Sequence, residues 1–316
     1  MNDHPPNTDR SLAVIGFGEA GRILAAGLRA SGRFDVCAYD ILVREAAARG
    51  PMVSAAVERQ VTMAESNREA IRGARIIVST VTAASSTDVA RETASALVPG
   101  QIFADLNSVS PGTKRTNAKL IEDAGGHYVD VAVMAPIPPY GLKVPILLGG
   151  ARAADLVALL APAGMKFEIV ADDIGTASAI KMCRSVMIKG MEALVVECLL
   201  GARHYGVEDR VLASLEETFP HMKWDERADY LVSRVVVHGR RRAAEMREVA
   251  VTIREAGQEP FMASATAECQ DRISDIVDAG AGSRATGSEF SWRQFADAVA
   301  ALGPSAPQSG VRATNQ

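Results

Sequence analysis

The chain has 316 residues and a formal net charge of −4, with acidic and basic side chains interspersed along it. A chain of this length should form two domains, because single hydrophobic cores stop growing at about 250–300 residues. The charge balance excludes the basic excess that nucleic-acid binding normally requires. We therefore expect small molecules or further copies of the chain as partners.

The chain termini and the most apolar segment predict a cytoplasmic protein without membrane contact. Residues 1–10, MNDHPPNTDR, lack the apolar core of a signal peptide and predict a disordered lead-in. The apolar segment 185–202 is interrupted by Lys189, Glu192 and Glu197, which favours a buried helix over a membrane span. The scattered cysteines predict reduced thiols in the core; these are Cys37, Cys183, Cys198 and Cys269.

Short apolar segments alternate with helix-like segments over the first half of the chain. This alternation is typical of a mostly parallel sheet with helices on both faces. It predicts an α/β Rossmann domain, a doubly wound sheet, over residues 11–174. The predicted strands lie within residues 12–17, 35–40, 74–81, 101–106, 127–134 and 144–150, and helix-like segments include residues 21–32 and 85–100.

Strand patterns stop near residue 175, which predicts an all-α domain over residues 175–303 and a disordered tail over 304–316. The first helix should cover residues 175–205, with Gly206 as its C-terminal cap. Apolar side chains lie around most of the circumference of this helix, so its surface must be buried on all sides, either by its own domain or by a second subunit. We therefore expect a homodimer in which the helix contributes to the interface.

A glycine-rich loop follows the first predicted strand. Gly16, Gly18 and Gly21 form the pattern G-x-G-x-x-G between a strand and a helix, the context that dinucleotide binding requires. Helix N-terminal N–H groups can bind the pyrophosphate there. The predicted cofactor loop comprises Gly16, Phe17, Gly18, Glu19, Ala20 and Gly21.

Asp40 ends the second predicted strand, 19 residues after Gly21. A carboxylate at this position can accept hydrogen bonds from the ribose hydroxyls and would repel a ribose phosphate. This favours NAD over NADP. Arg44 is the counter-argument, because a nearby arginine can accommodate the phosphate.

Two later segments complete a resemblance to the β-hydroxyacid dehydrogenase family, relatives of 6-phosphogluconate dehydrogenase. DLNSVSPGTKR, residues 105–115, is similar to that family's D-x-S-T-x-x-P signature, with Asn107 in place of the usual serine. GTASAIKMCRS, residues 175–185, resembles its G-x-x-x-x-x-K-x-x-N-N segment. The second half of the chain also resembles the helical C-terminal domain of a phosphogluconate-dehydrogenase-like group.

The resemblance implies that Lys181 is the catalytic lysine and that Ser108 contacts the substrate. A lysine whose pKa is lowered by burial can accept a hydroxyl proton, whereas an arbitrary lysine more often lies at a surface. Asn107 can contact substrate or cofactor, or serve as a turn residue. Thr80, Val81 and Thr82 follow the strand segment RIIVS, which matches the fourth strand of the family's sheet. The resemblance implies that these three residues line the cofactor.

The chain departs from the family pattern around the substrate. Ser185 stands where typical members have asparagine, and Arg184 precedes it, so either could orient the substrate. Pro136, Pro138 and Pro139 lie where the family has glycines near the substrate carboxylate, and prolines offer no N–H donors there.

A basic segment, residues 238–242, offers a replacement for that carboxylate pocket. His238 and Arg241 are candidate substrate ligands, together with Arg240 and Arg242, because guanidinium groups bind carboxylate or phosphate bidentately. The alternative is a solvated helix with i, i+4 ion pairs. The other histidines show no metal-ligand spacing, so no metal is expected.

The combined pattern predicts an NAD-dependent dehydrogenase that transfers a hydride between NAD and the alcohol carbon of a small hydroxy acid. Lys181 would be the general base in oxidation and the acid in reduction. Decarboxylation could follow for some substrates. Two alternatives stay open: an imine reductase, suggested by Ser185, and a non-catalytic nicotinamide-binding sensor.

Overall fold

A computed structural model describes residues 10–281 and 290–302. The predicted tail over 304–316, and all but the last residue of the predicted lead-in, lie outside the described residues. The chain divides into two compact units, residues 1–182 and 183–316. This division falls inside a long helix, eight residues after the predicted domain boundary.

The first unit contains an eight-stranded sheet in the order β3-β2-β1-β4-β5-β6-β7-β8. Neighbouring strands are parallel except β6 and β7, which are antiparallel. The predicted Rossmann-like α/β class is confirmed. The strands are β1 (Ser11–Ile15), β2 (Asp35–Tyr39), β3 (Thr62–Met63), β4 (Ile76–Ser79), β5 (Ile102–Asp105), β6 (His127–Val133), β7 (Pro145–Gly149) and β8 (Lys166–Ala171).

The burial of each strand explains why the sequence pattern predicted some strands and missed others. The central strands β4 and β5 are buried at every position, which requires the continuous apolar segments that parallel sheets show. Strand β8 lies at the sheet edge and has no fully buried residue, so it has no such segment. The prediction missed it and also the two-residue strand β3.

Helices cover the sheet and bury one face each. Helix α1 buries Leu24, Ala25 and Leu28, which join the strand residues in one hydrophobic core. Helix α5 begins with Ser110 as N-cap and Pro111 in its first turn, a favourable helix start. The helices of this region are α1 (Glu19–Ala30), α2 (Ala46–Glu58), α3 (Asn67–Ile71), α4 (Ser86–Ala94), α5 (Pro111–Asp123) and α6 (Ala153–Leu160).

The long predicted helix is present as α7 (Thr176–Tyr205). Gly206 follows it with a φ of 66°. The N–H of Val207 donates to Ala202 O, and the N–H of Gly206 donates to Arg203 O. These two bonds form a Schellman motif, for which glycine is the preferred residue. The prediction of Gly206 as a C-terminal cap is confirmed.

The second unit is helical and has its own core. Trp224 and Trp292 are buried in it. Within the described residues, no helix is long and apolar enough to span a membrane. The helices after α7 are α8 (Glu208–Thr218), α9 (Trp224–Glu255), α10 (Phe261–Asp278) and α11 (Trp292–Ala301).

The prediction of four core thiols is wrong in part. All four cysteines are free, but Cys183 and Cys198 are exposed and the other two are half-buried. Both exposed cysteines lie on α7, where Met187 and Leu194 are also exposed. Apolar neighbours in the sequence therefore did not indicate burial on this helix.

Candidate cofactor and proton-transfer site

The glycine-rich loop connects β1 to α1 and is closely packed at two of its glycines. Gly16 has a φ of +94°, and a Cβ there would lie 2.5 Å from the carbonyl oxygen of Thr80. A Cβ on Gly21 would lie 1.9 Å from the carbonyl oxygen of Gly16. Both positions therefore require glycine for the fold itself.

Gly18 differs from its neighbours because it faces open space. A Cβ on Gly18 would have no atom within 4 Å. Gly18 is the N-cap of α1 and provides no side-chain cap, so the first N–H groups of the helix lack intrahelical partners. Open space beside such donors fits the pyrophosphate of a dinucleotide.

These contacts predict opposite results for two matched alanine variants. Gly21→Ala should destabilise the protein by about 1–3 kcal/mol or more, because the new Cβ meets backbone. Gly18→Ala should change the free energy of unfolding by less than about 0.5 kcal/mol, yet weaken dinucleotide binding about tenfold or more by filling the pyrophosphate space. Urea denaturation and NADH titration separate the two effects. Equal stability losses would contradict this assignment.

Asp40 lies directly after β2, at the carboxyl edge of the parallel strands. Its carboxylate accepts hydrogen bonds from the N–H of Phe17 at 2.7 Å and of Leu42 at 3.1 Å. The first bond joins Asp40 to the glycine-rich loop. The second caps a short 3-10 helix over Ile41–Arg44. Asp40 thus stands beside the predicted cofactor loop.

The segment Thr80–Thr82 follows β4 and contacts the same loop. The Thr80 hydroxyl donates to the carbonyl of Gly16 at 3.0 Å, and the Val81 N–H donates to Oδ1 of Asn107 at 2.7 Å. The Thr82 hydroxyl lies 3.0 Å from that of Ser85. The turns that follow β1, β4 and β5 are therefore joined by direct hydrogen bonds.

Asn107 is buried, and its amide bridges two of these turns. Its Nδ2 donates to the hydroxyls of Ser79 and Ser86 at 3.0 and 3.2 Å, while its Oδ1 accepts from Val81. Each amide hydrogen therefore has a protein acceptor. Asn107 therefore holds the turns after β4 and β5 together, in addition to the ligand contacts that the sequence predicts for it.

Ser108 and Lys181 are 73 residues apart in sequence and lie in hydrogen-bond contact. Lys181 Nζ is 2.6 Å from Ser108 Oγ, and both residues are half-buried. Gly175, before α7, has a φ of +102°, and a Cβ there would lie 3.3 Å from the carbonyl oxygen of Pro111. Glycine at this position lets the start of α7 approach α5, which follows the Ser108 turn.

A fully buried ionic network supports the strands and helices that carry this pair. Lys114 Nζ lies 3.2 Å from Asp105 Oδ1 and 3.4 Å from Asp130 Oδ1, and all three side chains are inaccessible to solvent. Asp105 accepts hydrogen bonds from Tyr128 at 2.6 Å and from Asn117 at 3.2 Å. Burial and the Asp105 charge raise the pKa of Tyr128 well above its usual range, so the phenol stays protonated and remains a donor.

Asp130 connects the network to the helix of Lys181. Its carboxylate accepts hydrogen bonds from the N–H groups of Gly175 and Ser178 at 3.1 and 3.0 Å, and from the Ser178 hydroxyl at 2.6 Å. A carboxylate here satisfies donors of the first helical turn and complements its dipole. Asp130 therefore holds the start of α7 through residues that lie six and three positions before Lys181.

Asp105 begins the segment that resembles the family signature, but the sequence pattern did not indicate Lys114, Tyr128 or Asp130 as its partners. One signal was available for Asp130, because it interrupts the apolar strand HYVDVAV. A charged residue inside a buried strand needs a partner. That its partner is Lys114, 16 residues earlier on a helix, follows only from the tertiary structure.

The other predicted substrate residues belong to the second unit. Arg184 is exposed, and Ser185 is buried one turn after Lys181 on α7. Arg241 donates to Glu245 at 2.5 Å, and His238 is half-buried. The described residues contain no group of three or more histidine, cysteine and carboxylate side chains that could hold a metal.

Two family models match the chain. Residues 11–135 match the NAD binding domain of 6-phosphogluconate dehydrogenase. Residues 202–273 match a domain of unknown function, DUF1932. The first match covers the glycine-rich loop, Asp40 and the Ser108 turn, and the second begins near the end of α7.

Solved structures that are similar in sequence or in fold cover 84–93% of the chain. A conserved hypothetical protein from Sinorhizobium meliloti 1021 is 38% identical, with a TM-score of 0.72, over 92% of this chain and 96% of that one. A second conserved protein, described as structurally similar to 3-hydroxyacid dehydrogenases, is 30% identical, with a TM-score of 0.66, over 84% and 97%. The Mycobacterium tuberculosis 3-hydroxyisobutyrate dehydrogenase shares the fold at 16% identity, with a TM-score of 0.68, over 93% and 99%.

Proposed function

The chain belongs to the β-hydroxyacid dehydrogenase family of 6-phosphogluconate dehydrogenase-like, NAD(P)-dependent oxidoreductases, and from this premise we propose that it oxidises or reduces a small hydroxy acid. The hydride would pass between NAD and the alcohol carbon of the substrate. The observation that carries the proposal is the 2.6 Å contact between Lys181 and Ser108 at the edge of a dinucleotide-binding sheet.

The proposed proton transfer uses Lys181 and Ser108. A bound nicotinamide supplies the hydride acceptor or donor. In oxidation, neutral Lys181 accepts the proton of the substrate hydroxyl as the alcohol carbon becomes a carbonyl; in reduction, the Lys181 ammonium returns it. Ser108 fixes the Nζ position and can donate a hydrogen bond to the substrate. A group must lie within hydrogen-bond reach of the proton that it transfers, and Lys181 is held at that edge.

The proposed cofactor loop comprises residues 16–21, with Asp40 binding the ribose hydroxyls and residues 80–82 lining the bound dinucleotide. NAD is the proposed cofactor because the Asp40 carboxylate would repel the extra phosphate of NADP. Arg44 argues in the other direction, but its guanidinium lies over the ring of Tyr39, 5.6 Å from the ring centre.

Asp40→Ala should therefore reverse or erase the cofactor preference. We expect the Kd for NADH to rise about tenfold, as loss of a charged hydrogen-bond acceptor implies, while the Kd for NADPH rises less or falls. Fluorescence titration with both cofactors measures the ratio. Arg44→Gln is the control and should leave NADH binding unchanged. A stronger effect of Arg44→Gln on NADPH than of Asp40→Ala on NADH would favour NADP as the cofactor.

The substrate should carry a carboxylate, although its pocket differs from that of typical family members. Arg184 and Ser185 are proposed to replace the family's substrate-orienting amide. The imine reductase alternative also rests on Ser185, since the lysine–asparagine pattern is changed there. Retention of Lys181 in contact with Ser108 favours the hydroxy acid.

The test is the change in nicotinamide absorbance when the purified protein meets a panel of substrates. Aliphatic and aryl hydroxy acids with NAD, keto acids with NADH and cyclic imines with NADH should be compared. The proposal expects turnover with a hydroxy or keto acid. Turnover with imines alone would establish the reductase alternative, and cofactor binding without any turnover would indicate the sensor.

We propose that the protein acts as a homodimer. Helix α7 leaves Met187, Leu194 and Tyr205 exposed, at 66%, 57% and 78%. Their spacing of about two or three turns puts them along one side of the helix. Light scattering should therefore give about twice the chain mass of 33.4 kDa; a monomer would contradict this part of the proposal.

A further inference from the structure

One side of helix α9 carries a group of basic residues that we call the α9 basic face: Arg234, His238, Arg241 and Arg242. Their spacing of three or four residues puts them on the same side of the helix. Arg242 is buried with 7% of its surface exposed, Arg234 and His238 are half-buried, and Arg241 is exposed. Such burial distinguishes this group from an ordinary solvated row of charges.

Within the described residues, the carboxylates recorded in ion pairs with this face are fewer than the cations that they bind. Glu192 of α7 binds Arg242. Glu245 binds both Arg241 and Lys189 of α7, at 2.5 Å each. Two carboxylates, Glu192 and Glu245, thus form ion pairs with three cations, and Arg234 is a further cation that is not among these three.

Arg234 forms no ion pair within the part of the chain that the structure describes, although its charge helps to lower the pKa of Glu192. Its guanidinium lies 5.9 Å from the centre of the Tyr230 ring. Its Nε is buried without a hydrogen-bond acceptor, and so is the Nε of Arg242. Buried donors of charged groups are costly to leave unsatisfied. Both guanidinium groups therefore lack part of the hydrogen bonding that buried charged groups normally have.

The opposite side of α9 has more carboxylates than arginines in contact with it. Arg240 lies beside three carboxylates of α10, with Asp271 at 3.6 Å and Asp278 at 3.2 Å, and it also binds Asp275. Arg247 shares Asp271 with it. On that side the carboxylates outnumber the arginines, so the shortage of negative charge is local to the α9 basic face.

His238 adds a donor to this face without adding charge. Burial, followed by the charges of Arg234, Arg241 and Arg242, lowers its pKa to about 4. The imidazole is therefore neutral at physiological pH, and one ring nitrogen carries a hydrogen that it can donate.

We propose that the α9 basic face is a binding site for a small oxyanion, a carboxylate or phosphate group. Guanidinium groups bind such anions through paired, charge-assisted hydrogen bonds. Arg241 provides an exposed guanidinium group, Arg234 a half-buried one, His238 a neutral donor, and Arg242 a buried cation on the same side of the helix. This inference concerns a site in the helical unit and does not depend on the proposed redox reaction.

Isothermal titration with inorganic phosphate and with malonate, at constant ionic strength and without nicotinamide or hydroxy acid, tests the site. We expect saturable binding of at least one of these two probes. Arg234→Gln and Arg241→Gln should each weaken it about tenfold or more. Arg240→Gln is the matched control, being an arginine of the same helix whose side chain faces the α10 carboxylates, and it should bind as the wild type does.

A variant with the opposite expected effect separates binding from structural damage. Glu245→Gln removes a carboxylate that competes for Lys189 and Arg241, so it should bind the anion several-fold more tightly. Absence of saturable binding of both anions by the wild type would overturn the proposal. Equal weakening by Arg240→Gln, or weaker binding by Glu245→Gln, would also overturn it. None of these results bears on whether Lys181 transfers protons.

Discussion

Lys181→Ala is expected to lower kcat by about 10²–10⁴-fold, the usual contribution of a general acid or base. The reason is local, since Lys181 Nζ is the amine in contact with Ser108 at the proposed substrate edge. Dinucleotide affinity should stay within about twofold of the wild type, because the proposed cofactor loop comprises residues 16–21 and does not include Lys181. The measurements are single-turnover nicotinamide absorbance and NADH titration.

Two comparisons make the Lys181 experiment specific. Lys166→Ala, on the exposed edge strand β8, should leave kcat unchanged. Exogenous methylamine should restore part of the activity of Lys181→Ala by supplying the missing amine, whereas it could not repair a folding defect. If Lys181→Ala turns over at the wild-type rate, proton transfer by this lysine is wrong, whatever the substrate is.

Lys114→Met is expected to lower the free energy of unfolding by about 3–5 kcal/mol, the usual cost of removing one partner from a buried ion pair. Lys114 is completely buried between two equally buried carboxylates, Asp105 and Asp130. Methionine would fill most of the lysine volume but leave both charges uncompensated. Urea denaturation followed by circular dichroism measures the change.

A matched surface pair on the same helix provides the control. Lys119 binds Asp123 at 2.9 Å, with 76% of the lysine side chain exposed. Lys119→Met should therefore cost only about 0–1 kcal/mol, as exposed pairs do. Adding Asp130→Asn to Lys114→Met should recover part of the lost stability by removing one uncompensated charge. A loss below about 1 kcal/mol in Lys114→Met would contradict the ionic assignment.

The same network should affect the reaction through Lys181. Asp130 holds the first turn of α7 through Gly175 and Ser178, so its loss would loosen the position of Lys181 relative to Ser108. We call Asp130 a positioning residue for this reason. In Asp130→Asn, kcat should fall while the Kd for NADH stays unchanged. General destabilisation would not lower kcat while leaving cofactor affinity intact.

The fold class was predictable because its signals are local. Buried parallel strands need continuous apolar segments, and a dinucleotide loop needs glycines at a fixed spacing between strand and helix. Gly206 was predictable for the same reason, since a helix end in the left-handed conformation selects glycine. Edge strand β8 was missed because half-exposed positions carry no continuous apolar pattern.

The arginines of α9 illustrate what spacing could not decide. Their sequence is compatible with an anion site or with a solvated row of ion pairs. The structure assigns Arg240 to the carboxylates of α10, while Arg234, only six residues earlier, forms no ion pair among the described residues. Which acids face which side of a helix depends on how α7, α9 and α10 pack.

The sequence by itself determined the Rossmann-like sheet, the glycine-rich loop, the helical second half and the family resemblance at Ser108 and Lys181. Each of these features depends on patterns among residues that are close together in the chain. Only the tertiary structure decided that Lys114 lies between Asp105 and Asp130, that Asn107 joins the turns after β4 and β5, and that Cys183 and Cys198 are exposed. These features depend on distant elements meeting through burial and hydrogen bonding, and the periodicity of one segment does not record the segment against which it packs.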